Sequence, residues 1–457
     1  MITFSLSELS EIINGKLHGN DLLLNNISID SRNVKSNTLF IAIIGKRFDA
    51  HNFAVDAVNN GAKALLISRY LPISVPQIIV QDTSLALGAL SSWVRKQVSA
   101  RVVALTGSSG KTSVKEITAS IFRECGKTLC NKNNLNNKLG VPITLSELTK
   151  EHKYVVIEIG ASNLGEIDYM TKLISPENAL VNNISLAHLE GFGSLSNIAK
   201  AKGEIFNNLP PKGIAIINAD SNDWLNWKNH LNERTVWSFS LKNNNSNFFA
   251  YNIKINQTNT SFFMQTPYGI IQSFIKLTGK HNIYNALAAA ALSLSVGIPL
   301  KAVNNGLSKF HALPGRLFPI YLSKHQIVLD DSYNANVASM EAAIEVLSLM
   351  PGYRVMVVAD MAELGKDSKQ LHRELGIYIR NKAIDLVISI GNLSFLVGKY
   401  SKKGEHFKNK NLLIKRLELL LLEHTKITIL IKGSRSSAME KVVEGLLQNK
   451  KYDCFSI

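Results

Sequence analysis

Thr106-Gly107-Ser108-Ser109-Gly110-Lys111-Thr112 brings several chemical abilities into one short run. Glycines let successive backbone N–H groups turn toward a single anion, and a helix opening at Lys111 would add partial positive charge at its N-terminus. The Lys111 ammonium can reach terminal phosphates, and the Thr112 hydroxyl can hold Mg²⁺. Further along lie a carboxylate, an imidazole and an amine: Glu158 in Ile157-Glu158-Ile159-Gly160, His188 in Ala187-His188-Leu189-Glu190, and Lys202 in Ala201-Lys202-Gly203-Glu204. Glu158 and His188 could ligate a divalent ion, with the oxygen ligand the more usual one for Mg²⁺. Taken singly, the three read equally well as a solvated strand end, a capped loop histidine and a helix-surface lysine. Their order after a phosphate loop favours function. A standard phosphate loop carries glycine five residues before the glycine of its Gly-Lys pair, where this chain has Leu105. The loop by itself indicates a nucleoside triphosphate and leaves GTPases, motors and kinases open.

The elements around these residues suit that chemistry. The apolar run Val102 to Leu105 leads directly into the turn, and helical sequence follows from Lys111. YVVIEIG, NALVNNI and GIAIINAD are further apolar strands with helical or polar sequence between them, the pattern of a parallel sheet covered on both faces. Residues 234–278 alternate polar and apolar stretches, which predicts antiparallel strands. Ala286 to Val296 reads as a buried helix closed by Gly297. IVLDDS, RVMVVAD, LVISIG and ITILIKG predict a second, smaller α/β unit of Rossmann-like type. Short strands such as LFIAI and ALLIS, flanking a helix at Asn52 to Asn60, predict a separate N-terminal unit. The division expected is residues 1–83, 84–313 and 314–457, three α/β domains with a phosphate-loop domain in the middle.

Bulk composition narrows the class. A chain of 457 residues exceeds one ordinary core, and 46% hydrophobic residues indicate a globular protein. The net charge of +16 raises nucleic-acid binding. Its lysines, however, are scattered among asparagines, as in KNNLNNK and LKNNNSN, with no aromatic-interleaved basic stripe, so no nucleic-acid partner is expected. The positive field could instead draw in a polyanionic nucleotide. Cys125, Cys130 and Cys454 are too few and too irregular for a disulfide framework. No apolar run reaches the roughly 18 residues that span a bilayer, and MITFSLSELSEIINGKL lacks the features of a secretory signal. A cytoplasmic protein, without membrane insertion, is the expectation.

The displaced glycine of TGSSGKT resembles the TGxxGKT loop of the Mur ligases and their relatives, the folylpolyglutamate synthases. The order Glu158, His188, Lys202 matches that family's metal-binding Glu, its His, and a Lys modified by CO₂. The resemblance implies ATP and Mg²⁺ as cofactors. Gly107, Ser108, Ser109, Gly110, Lys111 and Thr112 would cradle phosphate, and Thr112, Glu158 and His188 would hold the metal. A carbamylated Lys202 would turn from a cation into a carboxylate-like anion. Gly279-Lys280-His281-Asn282-Ile283-Tyr284-Asn285 is similar to the segment whose asparagines contact the nucleotide, here Asn282 and Asn285. Arg316 matches the family arginine that reaches phosphate from the third unit, a role suited to its forked donors. Asp331 matches the residue that holds the ribose, and Asn137, in the phrase Asn134 to Leu145, joins the nucleotide contacts.

Other segments resemble one branch of the family, in which D-alanyl-D-alanine is joined to UDP-N-acetylmuramoyl-tripeptide. These are DDSYNAN, DMAELG with Ser368 and His372, and KGSRS with Met439-Glu440. Ile29-Asp30-Ser31-Arg32 and LFIAIIGKRFDAHNF resemble a uridine-binding N-terminal domain, with Ser31 and Arg32 toward the UDP-linked substrate. Asn334 and Asn336 would face the dipeptide. The chain departs from the pattern at Val337, Ala359, Lys138, Asn134 and Ala50, none of them a proposed metal or phosphate ligand. The implied protein is a monomeric ATP-dependent amide-bond ligase whose catalytic set is Lys111, Glu158, His188, Lys202 and Arg316. Alternatives are a ligase of the same superfamily that adds a single amino acid, a phosphate-loop ATPase switch, and a non-catalytic nucleotide-binding scaffold.

Overall fold

The computed structural model describes residues 1–45, 47–186, 189–221, 227, 231 and 233–448. Three sheets organise the chain. The first has five strands in the order Lys16–His18, Gln77–Ile79, Ala62–Ile67, Thr38–Ile41, Asn26–Ser28. Its outermost pair, Lys16–His18 with Gln77–Ile79, is antiparallel, and the remaining pairs are parallel. A short helix not anticipated from the sequence, Leu6–Ile12, precedes it. The Ser5 side chain caps that helix by accepting the Glu8 N–H.

The second sheet has nine strands and carries the turn Gly107–Gly110. Its parallel part runs Thr128–Cys130, Tyr154–Glu158, Arg101–Thr106, Asn178–Val181, Ile214–Asn218, Thr235–Ser240. Strand Arg101–Thr106 sits inside it, and its Val102 to Thr106 side chains are buried on both faces, as an interior parallel strand requires. Helices Lys111–Arg123, which leaves the Gly107–Gly110 turn, Lys280–Ser295 and Leu300–Lys309 pack on one face. The second is buried almost all round, and its run of alanines from Ala288 to Ala291 lets it pack closely against the first. Gly297, at φ +83°, ends it as expected. Each large apolar side chain buried here stabilises the unit by roughly 1.5–3 kcal/mol.

Residues 234–278 differ in one respect from the antiparallel expectation. Phe248–Ile255, Thr260–Thr266 and Gly269–Ile275 do form an antiparallel meander, but Thr235–Ser240 pairs parallel with both of its neighbours. The reason lies in the turn after Ser240. Asp220 accepts hydrogen bonds from Ser240 Oγ (2.6 Å) and Leu241 N–H (2.8 Å), and Ser240 Oγ accepts from Lys242 and Asn243 N–H. The asparagine-rich stretch is thereby led back before the next strand starts, instead of closing a hairpin.

The third sheet has the order Phe318–Ser323, Gln326–Asp331, Ile427–Lys432, Tyr353–Ala359, Leu386–Ile390, Gly404–Phe407. All its pairs are parallel except the first. Phe318–Ser323 and Gly404–Phe407 are edge strands with mostly half-exposed side chains, which is why they lack the apolar signature of the other four. A continuous core links the first two sheets: Phe4, Leu39 and Ile78 share one cluster with Leu87, Leu90, Ile157 and Met170. No described helix is long and apolar enough to cross a membrane.

Candidate active site

The turn Gly107–Gly110 sits at the carboxyl end of Arg101–Thr106, and Gly110 is the N-cap of helix Lys111–Arg123 at φ +74°. A side chain at Gly110 would be strained by that backbone, and its Cβ would lie 2.5 Å from Asn285 Oδ1 and 2.7 Å from Asn182 Nδ2. The neighbouring strand pins the turn. Ser108 N–H donates to Asn183 O (2.9 Å), Ser109 N–H to Asn183 Oδ1 (2.9 Å), and Asn182 Nδ2 to Ser109 O (3.0 Å). Lys111 folds back, its Nζ donating to Gly107 O at 2.8 Å. Burial holds this ammonium below the usual lysine range; Arg316 adds to the effect and Glu158 opposes it.

Glu158 ends strand Tyr154–Glu158 and is only 2% exposed. Its Oε2 accepts from Thr112 Oγ1 (2.9 Å) and its Oε1 from Asn136 Nδ2 (2.8 Å). Thr112 Oγ1 in turn accepts from Arg316 Nη2 (2.8 Å), a bond that crosses from the third unit. Among the described residues no group of three or more His, Cys, Asp or Glu side chains converges. What converges is an oxygen pair, Thr112 and Glu158. That suits Mg²⁺, which is held by few protein oxygens and keeps phosphate and water as its other ligands. His188 lies outside the described residues.

Lys202, near the end of helix Leu195–Gly203, is 2% exposed. Its Nζ faces the Phe192 ring, 5.6 Å from the centroid, and finds no hydrogen-bond acceptor among the described residues. Burial is the main reason its amine titrates at about 7, and the Lys111 charge reinforces the shift. A lysine so placed has a substantial neutral fraction near neutral pH.

These groups border one cavity of about 780 Å³. Its central wall holds Ser108, Ser109, Gly110, Lys111, Thr112, Glu158 and Lys202, with Asn137, Asn282 and Asn285; the other wall holds Arg316, Asp331, Asn334 and Asn336. Gly107 supports the turn without lining the cavity. Asn282 and Asn285 are partly committed to each other and to the cradle: Asn282 Nδ2 donates to Thr278 O (2.9 Å), and Asn285 Nδ2 to Asn282 Oδ1 (3.2 Å). Arg316 lies over the Tyr333 ring at 4.2 Å. Asp331 Oδ2 pairs with Lys432 Nζ at 2.6 Å, and its Oδ1 accepts Leu317 N–H at 3.1 Å. Burial pushes this carboxyl up while Lys432 pulls it back. His281, across the cavity, is driven down to about 4, by burial first and the Lys432 charge second.

Several expected residues have structural duties instead of, or besides, facing a ligand. Asn137 Oδ1 caps helix Gly140–Ser146 by accepting N–H groups of Leu139 (3.1 Å) and Gly140 (2.8 Å). Asn136, beside it, is the asparagine that touches Glu158, and nothing but adjacency distinguishes the two in sequence. Asn336 is the N-cap of helix Val337–Ser348, accepting Ser339 N–H in a capping box. Asn334 Oδ1 accepts Arg435 N–H (3.2 Å). In the DMAELG segment, Asp360 accepts N–H bonds from Asn392, Leu393 and Ser394, while buried His372 takes the Met361 N–H on Nε2 (3.0 Å). Ser31 and Arg32 are not on this cavity. They follow strand Asn26–Ser28, where Arg32 is largely exposed and forks onto Asp30 at 2.9 and 2.8 Å. Tyr333 and Lys432 also line the cavity; both fall in segments named from the sequence, DDSYNAN and KGSRS, but neither is given a role there.

Comparison with known proteins adds to this geometry. A model of the Mur ligase middle domain matches residues 105–293, one described as Mur ligase, glutamate ligase domain, matches 315–435, and one described as Mur ligase family, catalytic domain, matches 23–93. The chain is 56% identical over 449 residues to the UDP-N-acetylmuramoyl-tripeptide–D-alanyl-D-alanine ligase of Escherichia coli strain K12, covering 98% of this chain and 99% of the relative. It is 47% identical to the protein of the same name from Buchnera aphidicola subsp. Acyrthosiphon pisum, over 99% and 100% of the two chains. Among solved structures, MurF from Acinetobacter baumannii superposes with a TM-score of 0.94 at 34% identity, over 98% of this chain and 99% of that one. MurF from Thermotoga maritima in complex with ADP superposes with a TM-score of 0.83 at 26% identity, over 92% and 97%.

Proposed function

The chain belongs to the Mur ligase family, and on that premise we propose that it joins D-alanyl-D-alanine to UDP-N-acetylmuramoyl-tripeptide in an ATP-dependent reaction. The observation that carries the assignment is end-to-end likeness to ligases of that one name, with a cavity whose phosphate cradle and cationic opposite wall are both intact. A free carboxylate acylates an amine poorly; ATP supplies the phosphoryl group that turns it into an acyl phosphate, and Mg²⁺ offsets the charge of the phosphates. In this reading the chain's own residues do the rest. The backbone of Gly107–Gly110 and the ammonium of Lys111 hold the phosphates. Arg316 approaches the same phosphates from the other wall, so that the two anions meeting in the first step lie between fixed cations. Thr112 and Glu158, with His188, are assigned to the metal, and Asp331 to the ribose. Ser31 and Arg32 are assigned to the UDP-linked substrate, and Asn334 and Asn336 to the dipeptide. Residues 1–83, 84–313 and 314–457 are taken as the corresponding functional units.

The buried amine of Lys202 supports a further element of this reading, its carbamylation. Only the neutral amine attacks CO₂, and an amine titrating at about 7 has that form available. The product is an anion able to answer the Lys111 charge beside it. After equilibration with ¹³C-bicarbonate, a carbamate carbonyl resonance that disappears in Lys202→Met is expected; its absence from the wild-type spectrum refutes the modification.

The activity itself is tested by phosphate release from Mg²⁺–ATP with each acceptor added in turn, and by the mass of the product. Release that needs both UDP-muramoyl-tripeptide and D-alanyl-D-alanine, with the pentapeptide mass, is expected. Release with a single amino acid in place of the dipeptide would refute the assignment.

A further inference from the structure

We propose that Asn131 is a positioning residue that sets the Glu158 carboxylate toward Thr112, and that buried Lys115 holds Asn131 in place for this task. The proposal rests on the assignment of Glu158 to the metal made above. Strand Thr128–Cys130 pairs parallel with Tyr154–Glu158, and the ladder stops at Cys130↔Val156, two residues short of Glu158. The side chain of Asn131 continues it. Its Oδ1 accepts Glu158 N–H at 3.0 Å and its Nδ2 donates to Glu158 O at 2.9 Å, so one carboxamide grips both backbone groups of the carboxylate's own residue. An asparagine can do this because its amide carries the same donor and acceptor as a peptide unit.

The second Nδ2 hydrogen goes to Leu135 O at 2.9 Å. That bond fixes the loop that delivers Asn136 Nδ2 to Glu158 Oε1 at 2.8 Å. Asn131 therefore governs both the backbone of Glu158 and the donor that orients one of its oxygens, leaving the other aimed at Thr112 (2.9 Å). From behind, the Asn131 carbonyl accepts from Lys115 Nζ, a side chain 1% exposed that also pairs with Glu116 at 2.9 Å. Lys115 stands on helix Lys111–Arg123, one turn beyond Thr112. The helix that presents one oxygen of the pair thus fixes the frame that presents the other. Partners that orient a metal-binding carboxylate typically change metal affinity by about 10–100-fold when removed.

The test compares Mn²⁺–ATP and metal-free ATP binding by calorimetry, with no peptide substrate present. The ratio of the two dissociation constants is the metal's contribution. Asn131→Ala is expected to reduce that contribution about tenfold, with metal-free ATP binding unchanged; an unaltered ratio overturns the proposal. In a Glu158→Gln background the same substitution should cause no additional loss, because the carboxylate it positions is gone; an equal loss there also overturns it. Should Asn131→Ala fail to fold, Lys115→Met addresses the same link from the far side, and an unchanged ratio in that variant is equally fatal. Failure of the wild-type chain to form pentapeptide would sink the functional assignment alone, since the binding ratio is measured without acceptor.

Discussion

On the central wall of the cavity, Lys111 leans on a carbonyl of its own turn, and the Ser108 and Ser109 N–H groups are tied to Asn183. On the opposite wall, Asp331 and Lys432 neutralise each other while nearly buried, and Arg316 rests on an aromatic ring. The turn on the first wall joins one strand to one helix in sequence, and Asn182 and Asn183 lock it. The second places most of its residues within Arg316 to Asn336, and its buried charge is held in one pair, Asp331 with the sequence-distant Lys432. One wall is fixed by hydrogen bonds from its neighbours; the other must be prevented from presenting a lone buried charge. Among the described residues, hydrogen bonds that join the central and third units include Arg316 with Thr112 and the Glu190 N–H with the Glu363 carbonyl at 3.2 Å.

The contrast can be broken most directly at Lys111. Lys111→Ala should lower the turnover number by roughly 10³-fold with the melting temperature little changed, because this lysine serves phosphate more than packing. A large loss of stability instead would show that the central wall depends on its charge after all. Lys432→Met should do the converse. It strands the Asp331 carboxylate in the interior, and breaking such a pair costs about 3–5 kcal/mol, read by denaturant unfolding. The double variant Lys432→Met with Asp331→Asn should recover most of that loss. Arg32, away from both walls, should give about a tenfold rise in KM for the UDP-linked substrate when changed to alanine, with turnover and melting temperature intact. An effect on the KM for ATP would contradict its placement.

A pH-dependent effect is expected at Lys202. Its folded-state value of about 7 lies below the usual 10.5, so between those two pH values the unfolded chain binds more protons than the folded one. Stability from this residue therefore rises with pH across that window, and the cost of burying it is complete only below about pH 7. In carbon-dioxide-free buffer, Lys202→Met should melt higher than the wild type near pH 7, and the gap should shrink toward pH 10. A gap independent of pH would mean that the amine stays charged in the folded protein.

The same contrast explains what could be read from the residues alone. The phosphate cradle was legible because its chemistry is contiguous: strand, glycine turn, lysine and helix follow one another. The interior parallel strands were legible because burial on both faces leaves an unbroken apolar run. Phe318–Ser323 and Gly404–Phe407 were not, since an edge strand needs no such run. The parallel pairing of Thr235–Ser240 was hidden as well, because it is decided by Asp220, fifteen residues upstream of the strand's start. In the site, Glu158, Lys202, Asp331 and Arg316 could be placed only through family resemblance. Which of Asn136 and Asn137 turns toward the carboxylate and which caps a helix depends on a loop whose path is set by Asn131, and no local pattern records that choice.

Gly110 carries a consequence for inhibition. Any side chain there must enter a left-handed backbone and displace Asn285 and Asn182 at once. A compound that seats an anion on that turn would face a target with almost no freedom to mutate at the point of contact. Resistance is expected instead at side chains that line the cavity, and a compound that spares Arg316 and Tyr333 would remove two of those positions.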